Sequence, residues 1–284
     1  MKMLVTGGAG FVGTNLIKRL LKDNHEVISI DNYSTGKKEN HQEGCRYWNF
    51  DLSDKYCPVL ERDEYDVIFH IGALARIQPS LRNPYKFIFN NFVSTLNVLE
   101  AARQNNIKVV YAGSSTFHHG LYSSPYAWSK YSGEELCKLY SSVYDLSTAI
   151  CRFYNVYGPY QLEDGEYSTV LGIFEKQYRE GRPLTITADG EQRRDFTYID
   201  DIVDGLVKCS EHNFKAEFFE LGKGVNYSIN EIADMFGKDY PREYISARKG
   251  EYDVTLADYS KAKLKLGWEP NGDITQYIKS IIEV

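Results

Sequence analysis

The sequence predicts an α/β fold, a doubly wound parallel sheet with a smaller mixed α/β lobe, and two observations lead to it. Short β-branched apolar runs alternate with helical patterns through the first half of the 284 residues, and this regularity stops after Gly158-Pro159. Strand–helix–strand repeats with crossovers of this length make a parallel sheet covered on both faces. In order, residues 3–6 read as a buried strand and 11–22 as a helix, with Phe11, Leu16, Leu20 and Leu21 at helical spacing. Strands follow at 26–30, 67–71, 108–112 and 147–152, with helices at 91–104 and 129–145 between the later ones. Turn signals at Gly181-Arg182-Pro183, Ala188-Asp189-Gly190 and Gly267-Trp268-Glu269-Pro270 mark a loop-rich second lobe.

Composition excludes several classes. The chain has 33 Lys and Arg against 39 Asp and Glu, a net charge of −6, which disfavours a nucleic-acid partner. No window approaches the run of about 18 apolar residues that a membrane span needs. The N-terminus runs straight into Lys2-Met3-Leu4-Val5, so no signal peptide is expected and the protein reads as soluble and cytoplasmic. Cys45, Cys57, Cys137, Cys151 and Cys209 lie far apart with no metal-ligand spacing. They read as reduced, largely buried thiols, and no metal is expected.

Thr6-Gly7-Gly8-Ala9-Gly10-Phe11-Val12-Gly13 joins the first strand to the first helix. Glycines at 7, 10 and 13 allow a tight turn, close backbone approach to a pyrophosphate and close helix–strand packing. The helix N-terminus then offers free N–H groups to phosphate charge. Asp31 ends the second strand, 18 residues after Gly13. Its carboxylate suits ribose hydroxyls and repels a 2′-phosphate, so a Rossmann-type domain holding NAD rather than NADP is expected.

Tyr126 and Lys130 form Y-x-x-x-K, which puts both on one helix face. An ammonium nearby favours the phenolate, and such a Tyr can take a proton from a sugar hydroxyl while hydride leaves for a nicotinamide. The strand at 108–112 runs into Gly113-Ser114-Ser115-Thr116, placing hydroxyls where ligands bind in open α/β sheets.

With these three features the chain resembles, over essentially its whole length, the extended short-chain dehydrogenase/reductases. Within them it is most like the NAD-dependent nucleotide-sugar epimerase/dehydratase family and its UDP-glucose 4-epimerases. The resemblance implies catalytic roles for Tyr126, Lys130 and Ser114, with Ser115 the alternative hydroxyl, and a second role for Lys130 on the nicotinamide ribose. It implies cofactor contacts from Phe11 and Val12, and from Asp31-Asn32-Tyr33-Ser34-Thr35-Gly36 around the adenosine. Asp51-Leu52 belongs beside the adenine, Ile71-Gly72-Ala73 at the fourth strand end, and Asn91 at the head of a helix. Arg152-Phe153-Tyr154-Asn155-Val156-Tyr157-Gly158-Pro159 implies Tyr154 toward the cofactor and Asn155 toward the substrate diphosphate. Arg194, in Asp189-Gly190-Glu191-Gln192-Arg193-Arg194-Asp195-Phe196, and Arg248, in Arg248-Lys249-Gly250-Glu251, are implied on the same diphosphate. Two guanidinium forks grip phosphate oxygens in fixed geometry. Ser115 and Thr185 are further substrate-side candidates. Arg76 either faces the sugar or phosphates, or caps a helix or meets solvent. Thr255 falls where relatives gate the C2 side of the sugar, and its small size suits an N-acetyl group.

The resemblance also implies residues 1–157 as the NAD-binding domain, rejoined around 190–212, with 158–284 mainly the substrate lobe. A homodimer through the helices near 91–104 and 129–145 is implied as well. Phe117-His118-His119-Gly120 stands where the family commonly has Val-Tyr-Gly, and the two histidines read as loop residues. The expected reaction is epimerisation at C4 of a UDP-hexose or UDP-N-acetylhexosamine through a keto sugar. A 4,6-dehydratase or decarboxylase of the same family is the alternative, disfavoured because Ser115-Thr116 offers no carboxylate. A non-catalytic NAD or nucleotide-sugar binder would be expected to lack Tyr126 or Lys130.

Overall fold

A β-strand buried on both faces needs apolar side chains at successive positions, and Met3, Leu4 and Val5 of the first strand show this. β1 (Lys2–Thr6), α1 (Phe11–Lys22) and β2 (Glu26–Asp31) form the opening unit, and β3 (Cys45–Asn49) follows. α2 (Pro58–Arg62), β4 (Val67–His70), α3 (Ile77–Arg82), α4 (Pro84–Asn105), β5 (Lys108–Ser114), α5 (Pro125–Tyr144) and β6 (Thr148–Phe153) continue the alternation. Next come β7 (Val156–Tyr157), α6 (Val170–Arg179), β8 (Leu184–Thr187), β9 (Arg193–Asp195), β10 (Thr197–Tyr198), α7 (Ile199–Ser210) and β11 (Lys215–Leu221). β12 (Asn226–Ser228), α8 (Ile229–Phe236), β13 (Arg242–Ile245), α9 (Ser260–Leu266) and α10 (Ile274–Ile282) complete the described elements. The computed structural model describes residues 1–54, 57–62 and 65–283.

Seven strands form one parallel sheet in the order β11-β6-β5-β4-β1-β2-β3. Met3 and Val5 pack on one face with Leu16, Ile17 and Leu20 of α1 and Ile202 and Leu206 of α7. Leu4 and Ile28 pack on the other with Val98 and Leu99 of α4 and Cys137 of α5. The two faces are thus covered by different helices, which is the doubly wound arrangement expected. The order reverses between β1 and β4, and that switch point opens a crevice beyond the strands' carboxyl ends. A separate core of Leu171, Phe174, Ile232, Phe236 and Ile278 holds α6, α8 and α10 together.

Two sheet strands carry no apolar run, so the sequence pattern does not announce them. β3 is a half-exposed edge strand, Cys-Arg-Tyr-Trp-Asn, whose pairing to β2 replaces the missing apolar signal. β11 starts with polar, partly exposed residues and buries only its last three. Two helices start earlier than their apolar periodicity suggests, because a capping side chain and a proline begin each. Asn83 caps α4 before Pro84, so Asn91 lies two turns inside α4 rather than at a helix head. Ser124 caps α5 before Pro125, which places Tyr126 in the first turn. None of the five cysteines is in a disulfide, and four are buried. No described helix is long and apolar enough to cross a membrane.

His70, at the end of β4, ties the sheet to α4. Thr6 Oγ1 accepts the amides of Ile71 and Gly72, each at 3.0 Å, so its own proton goes to His70 Nδ1 at 2.9 Å. Nε2–H then donates to Thr95 Oγ1 at 3.1 Å, whose proton goes to the Asn91 carbonyl at 2.7 Å. This network accommodates only neutral imidazole. Burial, with the Lys130 charge secondary, pushes the His70 pKa down to about 3 from 6.5. The folded state therefore binds fewer protons, and the stability His70 contributes falls as pH drops through the window from 6.5 toward 3. The expected slope is about 1.4 kcal/mol per pH unit from this group. Urea midpoints of wild type and His70→Gln across that window check it; parallel curves would refute it.

Candidate active site

A cavity of about 1040 Å³ occupies the crevice at the strand ends. Its floor begins at the glycine turn. Gly7 has φ +70, and a Cβ on Gly13 would lie 2.1 Å from the Gly7 carbonyl oxygen, so neither position admits a side chain without rebuilding the turn. Gly10 differs: a Cβ there would meet only the Gly7 carbonyl oxygen within 4 Å, at 3.3 Å. Gly10 lines the cavity, so that Cβ would occupy the space a phosphate needs. Gly10 is also the N-cap of α1 and supplies no side-chain cap, and Phe11, Val12 and Gly13 line the same wall. An uncapped helix N-terminus against open space fits a pyrophosphate.

At the adenosine end, Asp31 Oδ2 accepts from the Ala9 amide at 2.9 Å and Oδ1 from the Tyr33 amide at 2.8 Å. Burial pushes this carboxyl up, against the pull of those two amides. Asn32 Nδ2 donates to Asp51 at 2.8 Å, and its Oδ1 accepts from the Ser34 amide at 3.0 Å. Asn32, Ser34, Thr35, Asp51 and Leu52 line the cavity; Gly36 packs under Ala9 and Asp31 and does not. Ile71, Gly72 and Ala73 continue the wall after β4. The residues present fit an NAD dinucleotide.

The candidate acid/base groups lie where β5 ends beside the start of α5. Tyr126 Oη donates to Ser114 Oγ at 3.5 Å, the limit of hydrogen-bond range. Ser114 Oγ also accepts from the Thr116 hydroxyl at 3.0 Å and the Thr116 amide at 3.3 Å. With its acceptor sites so engaged, the Ser114 proton is free for an oxygen in the cavity. The geometry brings Ser114, not Ser115, to Tyr126, while Ser115 lines the wall nearby. Burial pushes the Tyr126 phenol up, and the Ser114 hydrogen bond and the Arg76 charge pull it down. The sequence expectation of a simply lowered pKa is thus corrected: desolvation outweighs the neighbouring charges. Lys130 lies one turn along α5, buried, with Nζ 4.3 Å from the Tyr111 ring centre, and burial pulls its pKa down to about 8.

A family model described as NAD dependent epimerase/dehydratase family matches residues 3–222. The chain belongs to the NAD-dependent epimerase/dehydratase family. It is 33% identical to a putative UDP-glucose 4-epimerase of Methanocaldococcus jannaschii, covering 99% of this chain and 97% of that one. The fold is similar to the UDP-glucose 4-epimerase of Thermotoga maritima at a TM-score of 0.93 and 30% identity, over 100% of this chain and 98% of that one. It is similar to the UDP-glucuronic acid 4-epimerase of Bacillus cereus, solved with UDP-glucuronic acid and NAD, at 0.90 and 30%, over 100% and 98%.

Tyr154 and Asn91, singled out by the epimerase resemblance, do not line the cavity, whereas Asn155, Thr255 and Thr185 do. Tyr154 follows Phe153 and precedes Asn155, both cavity-lining, so it points to the opposite face; it is fully buried and donates to Glu220 at 2.8 Å. Both amide protons of Asn91 go to protein, the Leu74 carbonyl at 3.0 Å and Ser129 at 2.9 Å. Those of Asn155 go to the Asp195 carbonyl and Thr255 Oγ1, each at 3.1 Å, leaving only its Oδ1 for the cavity. Thr255 is buried on the cavity wall, and its hydroxyl also accepts the Asp195 amide at 3.0 Å. Thr185, held by Gln177 at 2.7 Å, lines the wall beside it.

Arg76, Arg194 and Arg248 all line the cavity, and none forms an ion pair among the described residues. Arg193 instead turns out to Glu231 at 2.9 Å. The atypical loop after Ser114 is anchored from behind. Phe117 lies over the Arg152 guanidinium at 3.4 Å, His118 pairs with Glu220, and Arg152 pairs with buried Glu134 at 2.7 Å. The side chain of His119 lies outside the described residues. No cluster of His, Cys, Asp and Glu fit for a metal occurs among the described residues. The 158–169 loop contributes Leu162, Tyr167 and Thr169 to the wall, which no sequence signal beyond the Gly158-Pro159 turn announces.

Proposed function

We propose that the chain inverts C4 of a UDP-linked hexose through a transient 4-keto sugar. The pairing of Ser114 and Tyr126 at the cavity wall carries this reading. Bound NAD would accept hydride from the sugar and return it. Gly10 with the first turn of α1 would hold its pyrophosphate, and Asp31 its adenosine ribose. Ser114 donates a hydrogen bond to the sugar O4, and Tyr126 takes the O4 proton and later gives it back. The positive end of α5, the Lys130 ammonium and the Arg76 guanidinium favour the phenolate during that step. Arg194 and Arg248 hold the diphosphate while the flat keto sugar turns over. On this reading residues 1–157, with 190–212, bind the dinucleotide, and the rest of 158–284 carries most of the substrate wall.

Among the described residues no carboxylate is hydrogen-bonded to Ser114 or Tyr126, so on this reading the pair moves the O4 proton and leaves the carbon-bound ones in place. The purified protein, given a UDP-hexose in heavy water and no added cofactor, should yield the C4 epimer without carbon-bound deuterium. Deuterium on carbon would move the assignment to a dehydratase-type reaction. Two copies are expected to pair through α4 and α5, whose outer faces expose Phe89, Leu139 and Val143. Sedimentation at the monomer mass would remove the dimer from this reading.

A further inference from the structure

Arg76 is held in the cavity wall at a backbone φ of 143, a region that side-chain-bearing residues rarely adopt. It caps no hydrogen bond of α3, which begins at the next residue. Its Nε donates to the Tyr167 carbonyl at 3.0 Å, which fixes the guanidinium plane and leaves both terminal nitrogens without a protein partner among the described residues. Burial pulls its pKa down, against the pull of the neighbouring Tyr126 in its phenolate form. Glu166, on the loop beside Tyr167, pairs with Arg82, and Glu251, which follows the Lys249-Gly250 segment packed against α3, faces Arg194. Arg76 is half-buried, and a partly desolvated guanidinium with no anion beside it gains when a ligand brings one.

We infer that Arg76 reads a carboxylate on the sugar, making a nucleotide-linked hexuronate the favoured substrate of this site. Among the described residues the cavity wall has three arginines without an ion pair, Arg76, Arg194 and Arg248. Two suffice for the diphosphate, and Arg76, adjoining Tyr126 rather than Arg194, is the one at the sugar end. A neutral hexose would offer it hydroxyl oxygens alone, whereas a carboxylate matches the free edge of the guanidinium with two parallel charge-assisted hydrogen bonds. The inference rests on the epimerase reading for its reaction but not for its binding preference.

Initial rates with UDP-glucuronate and UDP-glucose on the NAD-loaded protein test it, in wild type, Arg76→Lys and Arg76→Gly. Glycine relieves the φ at this position, so that variant removes the side chain without adding backbone strain. Wild type should favour UDP-glucuronate in kcat/KM by at least about tenfold. Arg76→Gly should lose that ratio, and Arg76→Lys, a cation without the fork, should keep part of it. A wild-type preference for UDP-glucose, or a ratio unchanged in Arg76→Gly, overturns the inference and leaves the epimerase reading intact. If neither sugar turns over, the epimerase reading fails, and calorimetric binding decides: tighter UDP-glucuronate binding that Arg76→Gly abolishes supports the role of Arg76, and equal binding overturns it.

Discussion

Tyr126→Phe should lower turnover of a UDP-hexose by at least about a hundredfold while the protein stays folded and NAD-loaded. Loss of a positioned acid/base group removes about 10²–10⁴ in rate. The substitution deletes one oxygen whose hydrogen bond, to Ser114, is at the 3.5 Å limit, so little stability goes with it. The ring remains in the first turn of α5, and Ser114 keeps its bonds from Thr116. Turnover, thermal midpoint and NAD content, measured on one preparation, separate a chemical defect from a folding one. Near-normal turnover would remove Tyr126 from the reaction.

Gly10→Val should weaken NAD binding by at least about a hundredfold without unfolding the chain. Gly10 has φ −85 and ψ 178, extended backbone that valine adopts readily. Its added Cβ meets a single protein atom, the Gly7 carbonyl oxygen at 3.3 Å, and the rest of the side chain enters the cavity. Displacing the phosphate from two backbone amides forfeits about 1.5–3 kcal/mol for each charge-assisted bond. At about 1.4 kcal/mol per tenfold, that is two or more decades of affinity. Gly13→Ala is a useful contrast, because its Cβ would lie 2.1 Å from the Gly7 carbonyl oxygen and rebuild the turn itself. Cofactor titration and thermal midpoints together check this; tight NAD binding by Gly10→Val would mean the pyrophosphate lies elsewhere.

The dinucleotide turn was legible because its determinants are local. Gly7, Gly10, Gly13 and Asp31 fall within one strand–helix–strand unit, whose geometry follows from backbone sterics and helix termini. The sheet was legible where strands are buried on both faces, since burial demands the apolar runs of β1, β2, β4, β5 and β6. It was not legible at β3 and β11, where an edge or a half-exposed strand takes its place through pairing with a neighbour. Helix starts were misplaced at α4 and α5 because periodicity reports the packed face, whereas Asn83 and Ser124 set the ends.

Within the cavity, local order determined which residue types were present, and long-range packing decided what each does. Ser114 and Tyr126 are near in sequence, and their pairing could be expected. The anchoring of Arg76 on Tyr167 spans 91 residues, that of Asn155 on Thr255 spans 100, and that of His118 on Glu220 spans 102. Whether a polar side chain faces a ligand depends on which of its hydrogen-bonding groups the protein has already satisfied. Tyr154 and Asn91 are turned to protein partners and Arg76 is left open, and no motif encodes that difference. By itself the sequence determined the fold class, the glycine turn and the nearness of Ser114 to Tyr126, because periodicity and short-range stereochemistry are written residue by residue. The tertiary structure alone decided which charges are paired, buried or free, because that depends on which distant segments desolvate them.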